Sequence, residues 1–167
     1  MARALEILIR LAIGGVFLYA GAVKAWDPIL FHEQVRAYQL LDDPYSAFVA
    51  IGLPWLEIFC GLSLLAAAIY GIVARGANPP PAAVRALLVS RHLHLGATLL
   101  IAGQLIAFIG GILSARARNL DIACGCFGSQ SSSVNDWTTL AFDAVLLLGC
   151  GFLLWRGWRR SPARSSS

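Results

Sequence analysis

Four stretches of the chain are apolar almost without interruption, roughly residues 5–26, 46–70, 93–114 and 137–155. An apolar run of about 18 residues or more is long enough to cross the hydrocarbon core of a bilayer as a helix. The pattern therefore predicts an all-α fold, a four-helix transmembrane bundle formed as one domain over residues 1–160. The first run begins behind Arg3 and resembles a signal peptide, with Tyr19-Ala20-Gly21-Ala22 as a weak cleavage site. Glu6 and Arg10 interrupt the expected basic and apolar regions, so a retained helix is expected. It stops at Asp27-Pro28, because proline restricts the residue before it and cannot continue the hydrogen-bond ladder.

The intervals differ in character. Residues 29–45 are too polar to span, but Ile29, Phe31, Val35, Tyr38 and Leu41 can share one face of a short interfacial helix. Pro54 lies inside the second span, where neighbouring helices tolerate it. Residues 71–92, with Pro79-Pro80-Pro81, read as a linker, and residues 115–136 as a loop carrying two cysteines. Asn135 or Asp136 is the expected N-cap of the fourth span. Residues 161–167 are expected to be a disordered tail. Gly96, Gly103 and Gly110 recur every seven residues along the third span, a flat stripe that another backbone can approach closely.

Composition agrees with the pattern. Hydrophobic residues make up 58% of the 167 positions and charged residues only 13%, about half the roughly 25% of a soluble domain. The net charge is +4, but the basic residues flank apolar runs, as membrane-facing charges do, and no nucleic-acid partner is expected. Four spans put both termini and the 71–92 linker on one side. Nine basic residues lie there (Arg3, Arg10, Arg75, Arg85, Arg91, Arg156, Arg159, Arg160 and Arg164). Lys24, Arg36, Arg116 and Arg118 make four on the other. The positive-inside rule then predicts a multi-pass protein of the cytoplasmic (inner) membrane with both termini cytoplasmic.

That orientation places Cys124-Gly125-Cys126 outside the cytosol, where disulfides persist. Two cysteines one residue apart close only a small ring, and strained disulfides are readily reduced. Gly125 and Gly128 ease the turn. Arg116 and Arg118 favour a thiolate and Asp121 opposes it. A redox-active dithiol is the reading adopted. Inert thiols remain an alternative, as does a metal pair, although His32 is the only histidine on that side and no metal is expected.

These residues resemble a known family. Gly14-Gly15-Val16-Phe17-Leu18-Tyr19-Ala20-Gly21 with Lys24 and Asp27-Pro28, then Leu53-Pro54-Trp55-Leu56-Glu57, then Cys124-Gly125-Cys126-Phe127-Gly128, are similar to the MauE family. These are the methylamine-utilisation membrane proteins, within the broader DoxX-like group. The resemblance implies a membrane redox accessory that exchanges thiols and disulfides with an extracytoplasmic thioredoxin-like protein. It also implies support for maturation of a secreted dehydrogenase subunit. The cofactor is unknown; a quinone is the candidate. A non-catalytic assembly factor and a small transporter are the rival readings.

Charges inside a bilayer cost on the order of 3 kcal/mol each on insertion scales, so Lys24, Glu57 and Asp143 call for a reason. At about 1.5 Å per residue, Lys24 falls near the surface, Asp143 roughly 9 Å deep and Glu57 roughly 16 Å deep. Lys24 is expected to pair with Glu57 or Asp143, either to set helix packing or as a proton path or the polar end of a quinone pocket. Cys60 and Cys150 lie deeper, as a buried relay pair or as small apolar fillers. Trp26, Trp137, Trp155 and Trp158 fall at span ends as interface anchors, whereas Trp55 is expected to stack on a ligand or fill the core. His92 and His94 do not share a face and suit headgroup contact better than a metal.

Overall fold

The computed structural model describes residues 2–73, 91–120 and 137–159. Five helices run in order: α1 (Ala2–Trp26), α2 (Pro28–Ala37), α3 (Tyr45–Val73), α4 (Arg91–Ala117) and α5 (Trp137–Arg159). All but α2 are long and apolar enough to cross a membrane. The shortest of the four has 23 residues and rises about 35 Å at 1.5 Å per residue, more than a hydrocarbon core of about 30 Å. These helices match the four expected spans, each running a few residues further at one or both ends.

The tightest seam joins α1 to α3. A Cβ added at Gly14 would stand 3.0 Å from the Gly61 carbonyl oxygen, and one at Gly61 would stand 2.8 Å from that of Gly14. Seven residues along, a Cβ at Gly21 would come within 2.7 Å of the Pro54 carbonyl oxygen. Lipid offers no hydrophobic drive for helices to associate, so close backbone contact over glycine supplies the attraction. The Gly96, Gly103 and Gly110 stripe, open to packing within the bundle or between copies, is not part of this seam. A Cβ at Gly96, Gly103 or Gly110 would meet nothing within 4 Å among the described residues. Seven-residue spacing aligns glycines on a face, but which face the bundle covers depends on the neighbouring helices.

The core lies between the four spans, where Ile13, Phe17, Leu64, Ile101, Leu105 and Leu153 pack together. Cys60 and Cys150 belong to this cluster as buried free thiols. At the opposite end of the bundle from α2, Glu6 ties α1 to α5, 2.8 Å from Arg10 and 3.6 Å from Arg156. His94 is buried instead of reaching headgroups, and its carbonyl accepts a hydrogen bond from Thr98 at 2.7 Å. Trp55 is 56% exposed on the outside of α3, so it neither fills the core nor faces an internal ligand. The 74–90 segment, Asn135, Asp136 and the tail lie outside the described residues.

Candidate functional site

The chain between α1 and α3 builds one end of the bundle. Asp27 caps α2, its carboxylate accepting the Leu30 N–H at 3.0 Å, with Pro28 in the first turn where its missing N–H costs nothing. The inward face of α2 reads Phe31, Gln34, Val35 and Tyr38, the i, i+3, i+4, i+7 set of one helical stripe. Ile29, expected on that face, is exposed, because it stands about 200° around the helix from Phe31 at ~100° per residue. Gln34 takes its place and escapes a search for apolar residues alone.

Beneath α2 lies a buried ion pair. Lys24 Nζ stands 2.6 Å from Glu57 Oε1, with the two residues 3% and 1% exposed. Lys24 is covered by α2, the Phe31 ring centroid 5.4 Å and that of Phe108 5.0 Å from the ammonium. Gly21 and Pro54, one turn before each partner, bring the two helices close enough for this short bond. Asp143 on α5 lines the same small cavity as Lys24 and Glu57. Its Oδ2 and the Glu57 Oε2 are buried with no hydrogen-bond partner among the described residues. The structure therefore selects Glu57 as the direct partner and brings Asp143 into the group as a second carboxylate.

A larger cavity opens on the other side of Lys24, between α1, α2, α3 and α4. Its volume is about 130 Å³, and its walls include Phe31, Tyr38, Leu53 and Phe108, with Lys24 and Gln34 as polar groups.

The end of α4 is closed by a Schellman motif. Leu120 N–H donates to the Ala115 carbonyl at 3.0 Å and Asn119 N–H to that of Arg116 at 2.9 Å, with Asn119 left-handed at φ 53°. Leu120 folds back onto Ile112 and Ala115, with Tyr38 and Leu140 beside them. Arg118 donates to the carbonyls of Tyr38 and Gln39 at 2.5 and 3.3 Å. Arg116 lies 4.0 Å above the Trp137 ring. Both arginines are thus engaged in holding α4 to α2 and α5. The end of α4 and the start of α5 therefore both lie at the α2 end of the bundle. Cys124, Gly125, Cys126, Phe127 and Gly128 fall between them in sequence, outside the described residues.

Near the start of α3, His32 Nε2 stands 3.0 Å from Ser46 Oγ and 3.3 Å from Asp43 Oδ1, and the Ser46 hydroxyl donates to Asp43. This is not a nucleophilic triad, since one imidazole nitrogen faces both partners and serine donates to the carboxylate. It pins α2 to α3. The Ser46 hydrogen bond, then Arg36 and His32, hold the Asp43 carboxyl below its ordinary value against a smaller opposing effect of desolvation.

The family model for methylamine utilisation protein MauE matches residues 2–78 and 80–156, nearly the whole chain. No curated protein and no solved structure matches. The chain belongs to the MauE family.

Proposed function

We propose that this MauE-family membrane protein exchanges thiols and disulfides through Cys124 and Cys126 on the extracytoplasmic side, in support of a secreted partner's maturation. The observation that carries the reading is the Cys124-Gly125-Cys126-Phe127-Gly128 motif itself, in a chain that the family model matches over residues 2–78 and 80–156. The nine-to-four bias of basic residues supports an inner-membrane orientation with cytoplasmic termini. The partner is a thioredoxin-like protein or a dehydrogenase subunit of the amine-oxidising kind.

One round of exchange moves a single disulfide from the loop to the partner, and a further round requires a two-electron acceptor, such as a disulfide on a second protein, to reoxidise the loop. A partner thiolate attacks one loop sulfur, forming a mixed disulfide and releasing the other loop sulfur as a thiolate. Attack by that thiolate on the loop's own sulfur simply reverses the step, with no net change. Alternatively, a second partner thiolate attacks, and the partner leaves oxidised by two electrons while the loop keeps two thiols. Gly125 and Gly128 lack the Cβ that would restrict a small Cys-x-Cys ring, and Phe127 supplies an apolar contact for the partner. The Lys24, Glu57 and Asp143 group lies at the end of the bundle from which the loop leaves, and supports it by fixing α1 against α3.

A membrane-impermeant maleimide applied to intact cells after mild reduction tests the reading. Labelling of Cys124 and Cys126 is expected. Absence of label at both, with an external control site labelled, contradicts it. A Cys124→Ser, Cys126→Ser variant that still matured its partner would favour the assembly-factor reading.

A further inference from the structure

We infer that the cavity between α1, α2, α3 and α4 binds a lipid-soluble molecule headed by one six-membered ring bearing a carbonyl, with Gln34 and Lys24 as donors. Three observations carry this. The first is size. About 130 Å³ is close to the ~150 Å³ apolar cavity that accepts a benzene ring, and far below the ~300–1,000 Å³ of a site for a whole drug-sized molecule. A single ring fits, and a tail must leave through the opening. Leu40 and Leu41 line the cavity and are exposed, so it reaches the surface of the bundle.

The second is an unsatisfied donor. Gln34 is only 9% exposed, lines the cavity, and its Nε2 has no hydrogen-bond partner among the described residues. A buried amide without a partner is costly, and an acceptor oxygen on a ligand removes that cost. Lys24 lines the same cavity with three N–H donors, one directed at Glu57.

The third is charge. One ammonium faces two carboxylates, Glu57 and Asp143, within the adjoining group, so an anionic head is repelled. A cationic head would meet Lys24 first. A neutral carbonyl satisfies both donors with no added charge. The Phe31, Tyr38 and Phe108 rings favour an aromatic or quinonoid ring over an acyl chain. Quinones are the membrane-soluble class with this head, and a bound quinone supplies a two-electron acceptor. The ester carbonyl of a glycerolipid is the other source of such an oxygen.

Equilibrium binding to the full chain in lipid nanodiscs tests the inference, with decylubiquinone as probe and dioleoylglycerol and oleate as competitors. Saturable binding is expected, displaced by neither competitor. Gln34→Leu, which keeps the side chain's bulk, should weaken it about tenfold, the loss of one buried hydrogen bond. Gly111→Leu should abolish binding by filling the cavity. The first atom of that side chain meets Tyr38 at an ordinary 3.6 Å, so the packing survives. No saturable binding, equal affinity in wild type and both variants, or displacement by dioleoylglycerol or oleate would overturn the inference. A Cys124→Ser, Cys126→Ser variant should bind as wild type does, which separates this site from the thiol chemistry.

Discussion

Lys24 Nζ and Glu57 Oε1 meet at 2.6 Å although the two residues stand 33 positions apart, and both are buried. The pair joins α1 to α3 directly beneath α2. A buried pair costs much desolvation, and removing one member leaves an uncompensated charge. Lys24→Met should therefore destabilise the bundle by about 3–5 kcal/mol, whereas Lys24→Met with Glu57→Leu should recover most of that loss. Denaturant or thermal unfolding in detergent reads the difference. Equal destabilisation by the single and double changes would contradict the pairing.

The same seam depends on glycine. Gly21→Val would drive a side chain into the Pro54 carbonyl and the Glu57 side chain, and should cost about 1–3 kcal/mol of stability as overpacking does. Gly103→Ala enters open space on α4 and should stay within about 0.5 kcal/mol of wild type. Unfolding of the two variants side by side checks both.

Much of this was legible in the sequence, and the exceptions share a cause. Long apolar runs fix helices by length, so the four spans and their order follow from composition. Partner choice does not. A rise count along one helix gives a depth in the bilayer but not that α2 lies over Lys24. Gln34 is polar, so apolar periodicity alone does not mark it, although its place three after Phe31 and four before Tyr38 is a helical stripe. Gly14, Gly21 and Gly61 form the close seam, while a Cβ at the more regularly spaced Gly96, Gly103 or Gly110 meets nothing among the described residues. Arg116 and Arg118 contact Trp137, Tyr38 and Gln39 and hold helix ends, a role the cysteine motif does not reveal.

The contact between α2 and α3 should respond to acid. The Asp43 carboxyl is held below its ordinary value of 3.8, chiefly by the Ser46 hydroxyl. Its contribution is complete above that value and falls away as pH drops through the lowered one. Hydrogen exchange over residues 38–46 should therefore quicken below about pH 4, and Asp43→Asn should show the faster exchange at neutral pH. A wild-type exchange pattern in Asp43→Asn would contradict the assignment.

Cys60 and Cys150 sit among aliphatic side chains in the core. Iodoacetamide should leave both unlabelled in the folded bundle and reach them only after denaturation, read by mass spectrometry of the separated peptides. Labelling of either in folded protein would contradict their burial.

Trapping at the loop tests the central claim most directly. With Cys126→Ser, the Cys124 thiolate attacks a partner disulfide, releases one partner sulfur as a thiolate and leaves a mixed disulfide that no neighbouring loop sulfur can resolve; with Cys124→Ser the same holds for Cys126. A reductant-sensitive adduct to an extracytoplasmic protein is expected from at least one of these variants and absent from the Cys124→Ser, Cys126→Ser double change. Adducts from neither single variant, or an adduct that survives the double change, would contradict thiol exchange at this loop.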